Sequence, residues 1–515
     1  MYPGKHVRVH PDRPAYIMAG SGETVTYAEL ESRTNRLARL LRANGLHRLA
    51  HYAIFMENNN RYLEACGAGE RSGLYYTCVN SYLTADELAY VLNNSESRAL
   101  ITSREKRDVA AQALRQCPEV RLCLIVDDAG DGQFVNLDDA VSRYPATPID
   151  DEWLGTPMLY SSGTTGRPKG ILRPLPENPP SQPLPLFDFL YKLWQYREGM
   201  IYLSPAPLYH SAPQAAVGIT IRSGGTAIIM EHFDPERYLA LIERYKVTHS
   251  QLVPTMFSRL LKLPAQARDR HDLSSLEIAI HAAAPCPVQV KERMIEWWGP
   301  IIHEYYGATE GLGFTACNSQ EWLAHRGTVG RVLLGDLHIL DAEMQPSPKG
   351  TPGEIWFKTA SPFMYFNDPA RTAATRSPDG SMSTVGDVGH VDEDGFLYLT
   401  DRATFMIISG GVNIYPQECE NLLITHPEVA DAAVFGVPND DLGEEVKAVV
   451  QAMPGVATGE VLEQALIAFC RAHLSIQKCP RSVDFISAMP RLPTGKLYKK
   501  ALRERYWGGR ESRIV

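Results

Sequence analysis

The sequence predicts an α/β protein: a large N-terminal domain of layered sheets with helices, followed by a small C-terminal α+β domain. Three observations carry this expectation. The chain has 515 residues, too many for one module at about 100–200 residues per domain. Hydrophobic residues make up 44% and charged residues 22%, ordinary globular proportions that exclude disordered, collagenous and coiled-coil classes. Short apolar runs of strand length also alternate with amphipathic helical segments, the signature of largely parallel sheets covered by helices.

The elements follow in chain order. Thr26-Tyr-Ala-Glu29 is a capping box, in which hydroxyl and carboxylate satisfy each other's orphan backbone donors and open a helix. Leu30, Leu37, Leu40 and Leu41 give that helix one apolar stripe, and Gly45 suits a left-handed end. Six prolines between Pro174 and Pro185 predict an extended surface connection, since proline fits neither helix interior nor central strand. Helices are expected at Pro235–Tyr245 and Val288–Trp298, with buried strands at 246–253, 276–280 and 301–305. The pair Trp297-Trp298 reads as packing. Asp392-Glu-Asp-Gly395 is a turn between short strands. Near residue 402 the pattern restarts, with a helix from about Pro416, strands near 432–437 and 446–451, a helix near 461–473 and a strand at 483–487. The expected domains are therefore 1–402 and 403–515, with no internal repeats.

Charge and cysteine content narrow the function. Lys+Arg 51 against Asp+Glu 60 gives a net charge of -9, which disfavours a protein that coats nucleic acid with its whole surface. Residues 471–515 nevertheless carry +8, leaving -17 for the rest. A helix expected at 497–506 bears Lys499, Lys500, Arg503 and Arg505, so nonenzymatic nucleic-acid binding by the basic tail is the alternative from another class. A solvated basic face is the plainer reading, and no nucleic acid is expected. The N-terminus lacks an apolar signal region, and no run of 18 apolar residues occurs, which predicts a soluble, cytoplasmic protein. Nine cysteines without a CxxC pair argue against a disulfide or zinc framework and for reduced, mostly buried thiols.

The strongest chemical signal is Tyr160-Ser-Ser-Gly-Thr-Thr-Gly-Arg-Pro-Lys-Gly170. Ser161, Ser162, Gly163, Thr164, Thr165 and Gly166 offer hydroxyl and amide donors on a backbone that a polyanion can approach closely, and Lys169 adds positive charge. A phosphate chain is the natural ligand. The GxxxxGK[S/T] spacing of a Walker loop is absent, which excludes a P-loop kinase.

This run resembles the phosphate-loop signature of the superfamily of acyl- and aryl-CoA synthetases, adenylation domains and luciferases. Further segments match it in the same order: Leu208-Tyr-His-Ser211, Tyr306-Gly-Ala-Thr-Glu310, Val385-Gly-Asp-Val388, Thr400-Asp-Arg402, Ile408-Ser-Gly-Gly-Val-Asn-Ile-Tyr-Pro416 and Pro493-Thr-Gly-Lys496, across about residues 20–505. The resemblance implies an AMP-forming ligase that uses ATP, Mg²⁺ and coenzyme A to turn a small-molecule carboxylic acid into a thioester through an acyl-adenylate. By the same resemblance Lys496 is the catalytic lysine of a mobile C-terminal domain, with Lys169 and Thr309 at the phosphates and Glu310 on the metal. Ala282, Ala283, Tyr305, Tyr306 and Gly307 enclose the adenine, while Asp387 and Arg402 hold the ribose and nucleotide. His210, Ala284, Gly307, Ala308 and Gly311 line the acyl group, and Ser409, Gly410 and Gly411 face the CoA tunnel. A carboxylate is ionised at neutral pH, so His210 needs only to orient it.

Two positions depart from the family pattern. Thr404-Phe405 stand at the hinge where Lys or Asp is usual, and Val385 replaces the threonine of a common Thr-Gly-Asp. The nearest alternative activity is loading an acid onto a carrier-protein phosphopantetheine. The chain ends about 20 residues after Lys496, with no carrier-like domain, which favours free CoA. Small residues near the expected pocket favour medium-chain, branched or cyclic acids over acetate. Amino acids are disfavoured, and a homodimer is left open.

Overall fold

The computed structural model describes residues 2–4, 6–161, 168–175, 177–358, 363–402, 405–409, 412–439, 441–491 and 497–508, without the side chains of residues 401, 402, 413 and 500. Two compact units divide the chain: Met1–Leu252 with Leu263–Ile280 and Pro362–Ala374, and Val253–Lys262 with His281–Ser361 and Thr375–Val515.

The first unit holds two mainly parallel sheets. One runs Val135–Asn136, Leu122–Val126, Ala99–Ser103, His51–Phe55, Tyr75–Cys78 and Thr156–Pro157, every pair parallel. The other places His249–Leu252, Ile201–Ser204, Thr226–Ile229 and Pro14–Met18 side by side in parallel, with Thr24–Thr26 antiparallel at the edge. The expected α/β layering is thus present. Helix Tyr27–Ala43 opens as its capping box requires: the Glu29 amide donates to Thr26 Oγ1 at 3.2 Å and the Thr26 amide to Glu29 Oε2 at 2.8 Å. Leu30, Leu37, Leu40 and Leu41 are buried, and Gly45 takes φ +83° just beyond the helix.

Two boundaries differ from expectation for local reasons. Helix Pro235–Tyr245 ends on Lys246 in the left-handed conformation, φ +53°, so the following strand cannot begin there and starts at His249. Pro185 opens helix Pro185–Leu193 instead of closing the proline-rich connection, because proline at the first helical position costs no hydrogen bond.

The second unit contains three antiparallel arrangements. Strand Ile302–Tyr306 pairs with Phe314–Cys317, which pairs with Arg331–Leu334. Asp336–Leu340, Gly353–Lys358, Ser383–Val391 and Leu397–Arg402 form a four-stranded sheet. The turn between its last two strands is the expected one, with Gly395 at φ +85° and the Phe396 amide donating to Asp392 Oδ1 at 2.9 Å. Five strands follow in the order Val412–Ile414, Ile407–Ser409, Gly443–Ala452 and Val429–Asn439, with Ser482–Phe485 parallel to Gly443–Ala452. Helices Gln417–Ile424 and Glu460–His473 cover one face, packing Leu423 and Leu466 against Val434, Val450 and Val483. The opposite face packs Phe435 and Val449 against Leu502. The elements expected after residue 402 are all present, each within a few residues of its place. The compact division begins its last segment at Thr375.

Helix Lys499–Trp507 spends part of its charge internally. Lys499 Nζ lies 2.8 Å from Glu420 Oε1, the two side chains being 6% and 5% exposed, and Arg503 lies 3.7 Å from Glu444. Glu420 also accepts the Val434 amide at 2.6 Å. Removing one partner of a buried pair strands the other charge, which costs about 3–5 kcal/mol. Glu420→Ala should therefore lower the C-terminal unfolding transition by that amount in urea, and Glu420→Ala with Lys499→Met should recover much of it. A loss under about 1 kcal/mol, the range of exposed pairs, would show that the pair is not desolvated.

The nine cysteines are all free, and all but Cys286 are buried. Trp298 packs edge-on against Phe257 with ring centroids 5.8 Å apart, as a packing role requires. No helix among the described residues is long and apolar enough to cross a membrane.

Candidate active site

In the first unit, the glycine-rich motif is the connection of an antiparallel hairpin. Strands Leu159–Ser161 and Lys169–Leu172 pair with Ser161 opposite Lys169; Ser162, Gly163, Thr164, Thr165 and Gly166 lie outside the described residues. The base of the hairpin is held from below. Tyr160 Oη donates to Asn94 Oδ1 at 2.6 Å, and Tyr90 Oη to the Pro168 carbonyl at 3.2 Å. Gly170 is required there, since a Cβ would sit 2.6 Å from the Met158 methyl and 2.9 Å from the Tyr160 ring. The Lys169 ammonium stands 4.7 Å from the centroid of the Tyr365 ring, a cation–π contact that keeps the charge at the hairpin. Sequence reasoning missed Tyr365, because nothing in its local pattern signals a partner so distant in the chain.

His210 is also in the first unit, beyond the carboxyl end of the parallel strand Ile201–Ser204 and at the N-cap of helix Ser211–Arg222. Ligands of open α/β sheets gather at such strand ends. Asn58 fixes the approach: its Oδ1 accepts the Leu208 amide at 2.8 Å and its Nδ2 donates to the Met230 carbonyl at 2.9 Å. The His210 and Tyr209 rings lie 4.2 Å apart, and burial pushes the Tyr209 phenol well above its ordinary pKa.

The second unit collects most of the remaining candidates. Strand Ile302–Tyr306 carries Tyr305 and Tyr306 at its carboxyl end, one residue further than the sequence suggested. Tyr305 stacks on Phe314 at 5.0 Å. Tyr306 Oη donates to Asp387 Oδ2 at 2.8 Å, a bond that joins two motifs read separately. Asp387 in turn stands opposite Arg402 in the ladder between Ser383–Val391 and Leu397–Arg402. Their spacing along the chain is therefore the register of one hairpin. Gly307, Ala308 and Thr309 follow the strand, the Gly311 amide bonds the Ala308 carbonyl at 2.9 Å, and Gly311 takes φ +75°. Glu310 is buried at 8% exposure.

Ala282, Ala283 and Ala284 follow strand Ile278–His281. Ala283 holds φ +75°, a conformation that costs a residue with a Cβ about 1–3 kcal/mol and clusters at functional sites. Beneath this loop lies a group that the sequence reading missed. Lys291 Nζ is 2.5 Å from Glu304 Oε2, and His281 Nε2 is 3.4 Å from the same oxygen, all three residues being buried. A glutamate at an inward strand position, in Ile302-His-Glu-Tyr-Tyr306, was the available signal.

Ser409 ends strand Ile407–Ser409 and pairs with Val412; Gly410, Gly411 and Thr404 lie outside the described residues, as does Lys496. The flanks of the Lys496 segment are anchored. Arg491 bridges to Leu497 and clasps Asp431 with two guanidinium nitrogens, while the Tyr498 amide donates to the Pro490 carbonyl at 2.8 Å. Phe405 has a definite partner, the Lys499 ammonium 5.3 Å from its ring.

Comparison with known proteins supplies the frame for these groups. The model of the AMP-binding enzyme family matches residues 4–365, and that of the AMP-binding enzyme C-terminal domain matches residues 418–496. The chain is 32% identical over 521 residues to a feruloyl-CoA synthase of Amycolatopsis sp, covering 98% of each protein. It is 30% identical over 505 residues to a (7a-methyl-1,5-dioxo-octahydro-1H-inden-4-yl)propanoyl:CoA ligase of Rhodococcus jostii, covering 93% of each. Its fold is similar to that of ATP-bound MatB from Rhodopseudomonas palustris, with TM-score 0.80, 28% identity and 98% and 99% of the two chains covered.

Proposed function

The chain belongs to the AMP-binding enzyme family, as an AMP-forming acid–CoA ligase, and from that premise we propose that its acid is a medium-chain, branched or cyclic carboxylate. ATP, CoA and a carboxylic acid are its substrates, joined through an acyl-adenylate. The observation that carries the assignment of the site is the Tyr306–Asp387 hydrogen bond at 2.8 Å, with Asp387 in register opposite Arg402. The bond holds a carboxylate beside an aromatic ring at the carboxyl end of a strand, which supports reading Asp387 as the acceptor for ribose hydroxyls.

A carboxylate oxygen of the acid attacks the α-phosphorus, the bond to the β-phosphate oxygen breaks, and pyrophosphate leaves. Charge spreads over phosphoryl oxygens, so positioned donors and cations lower the barrier. Lys169, Thr309 and Lys496 fill that role in our reading, and His210 orients the acid. The CoA thiol then attacks the acyl carbon, loses its proton, and AMP departs. Ser409, Gly410 and Gly411 admit the thiol arm, after rotation about the segment following Arg402 has withdrawn Lys496.

The donor set fits Mg²⁺. One buried carboxylate, Glu310, follows the strand that ends at Tyr306, and this ion is commonly held by one or two carboxylates together with substrate phosphates. Among the described residues no three His, Cys, Asp or Glu converge as a cage, and such a site needs none. When bound there, the ion neutralises phosphate charge.

Two relatives support the acyl class by name, one acting on a ferulic acid and one on a bicyclic propanoic acid. Gly307, Ala308, Gly311 and Ala284 are small, which leaves room for bulk. The test is AMP release with free CoA across fatty, aromatic and polycyclic acids, after pyrophosphate exchange has shown adenylation. Turnover restricted to acetate would refute the acyl class, and adenylate without CoA thioester would point to a carrier-protein acceptor.

A further inference from the structure

Two backbone segments, Ala282–Ala284 and Tyr305–Gly307, form opposite walls of the nucleotide site in the reading above. Each is preceded by one member of the buried group: His281 directly before Ala282, and Glu304 directly before Tyr305. Both contact each other through Glu304 Oε2, and Lys291 of helix Val288–Trp298 closes the group from a third element. The Lys291 ammonium stands 4.8 Å from the Trp322 ring, and the residue is fully buried. We propose that Lys291, Glu304 and His281 are positioning residues for ATP, setting the separation of the two walls that their neighbours form.

Four observations support this. A lysine and a glutamate without solvent are costly to bury, and apolar residues of similar volume often serve stability equally well. What the pair adds is a fixed geometry, since short charged contacts tolerate little displacement. Burial lowers the His281 pKa, against the opposing pull of Glu304. The Glu304 carboxylate lies 3.4 Å from Nε2, and neither ring nitrogen has a hydrogen-bond partner among the described residues. Burial alone would raise the Glu304 carboxyl, but the His281 ring and the Lys291 ammonium outweigh it and hold the carboxyl down at about 2. The Glu304 carboxylate therefore stays charged near neutral pH. Finally, Ala283 keeps φ +75°, and a strained residue stays strained only where its surroundings over-determine it. The contact between His281 and Glu304, two residues away, provides such a restraint.

The inference rests on the assignment of these segments to the nucleotide, and the experiment separates the two. ATP binding is measured by calorimetry, and KM for ATP, acid and CoA by AMP release, on the full chain. The variants are Lys291→Met with Glu304→Leu, which removes both charges and keeps the volume, Glu304→Gln alone, and Asp387→Ala as reference. The double variant is expected to unfold within a few degrees of wild type, to bind ATP at least tenfold more weakly, and to keep KM for CoA within about twofold. Glu304→Gln, which keeps the shape and a hydrogen bond to Lys291, should recover part of the ATP affinity. ATP binding unchanged in the double variant but weakened in Asp387→Ala would overturn the positioning role and leave the site intact. ATP binding unchanged in both would overturn the assignment of the site, and the inference with it. Equal losses for all three substrates would mark a structural role and also overturn it.

Discussion

Lys496→Ala is expected to abolish adenylation while leaving thioester formation from preformed acyl-adenylate within a few-fold of wild type. The first half-reaction should fall by about 10²–10³ or more, the loss typical of one preorganised group at a developing charge. The asymmetry follows from where charge appears. Adenylation builds charge on oxygens of the α-phosphate, where an ammonium is strongly stabilising, whereas in our reading rotation has withdrawn Lys496 before the thiol attacks, so it does not meet the charge that AMP gains on leaving. Lys496 itself lies outside the described residues, but both of its flanks are held by ion pairs. Arg491 on one side is clasped by Asp431, and Lys499 on the other by Glu420 at 2.8 Å. Pyrophosphate exchange and single-turnover thioester assays separate the half-reactions; equal losses in both would remove Lys496 from the role assigned here.

Asp387→Ala should raise KM for ATP by about 10²-fold with a smaller change in kcat. A carboxylate that accepts two ribose hydroxyls contributes about 1.5–3 kcal/mol per charge-assisted bond, part of which water recovers at this half-exposed place. Because Tyr306 Oη donates to Asp387 Oδ2 at 2.8 Å, Tyr306→Phe tests the same carboxylate from its other side. Losing this orienting bond should cost about 1 kcal/mol, roughly a fivefold rise in KM for ATP. The two substitutions should be non-additive, since residues in one hydrogen-bond network couple. A double variant whose effects multiply would mean that tyrosine and aspartate act on separate parts of the nucleotide.

The expected hinge chemistry also changes meaning. Phe405 stands where a charged residue is usual in the family, and its ring lies 5.3 Å from the Lys499 ammonium. That ammonium already pairs with Glu420, so a polarizable ring accommodates it without adding a second charge. The basic tail is likewise partly paired: of the four cations read as one face, Lys499 and Arg503 have carboxylates of their own. This weakens the case for nucleic-acid binding by that helix face.

Sequence alone determined whatever depends on neighbours along the chain. The capping box at Thr26 and Glu29, the helices Pro235–Tyr245 and Val288–Trp298 and the turn at Asp392–Gly395 rest on local hydrogen bonds and periodicity, and all stand as expected. The ordered motifs likewise identified the family, because each is a short stretch of backbone chemistry. Tertiary structure decided which of those stretches meet. That Tyr306 reaches Asp387, that Tyr365 faces Lys169, and that Lys291, Glu304 and His281 share one dry space depends on strand register and on the packing of helix against sheet. Burial turns such residues from solvated charges into structural constraints, and burial is a property of the folded chain that no local pattern of residues contains.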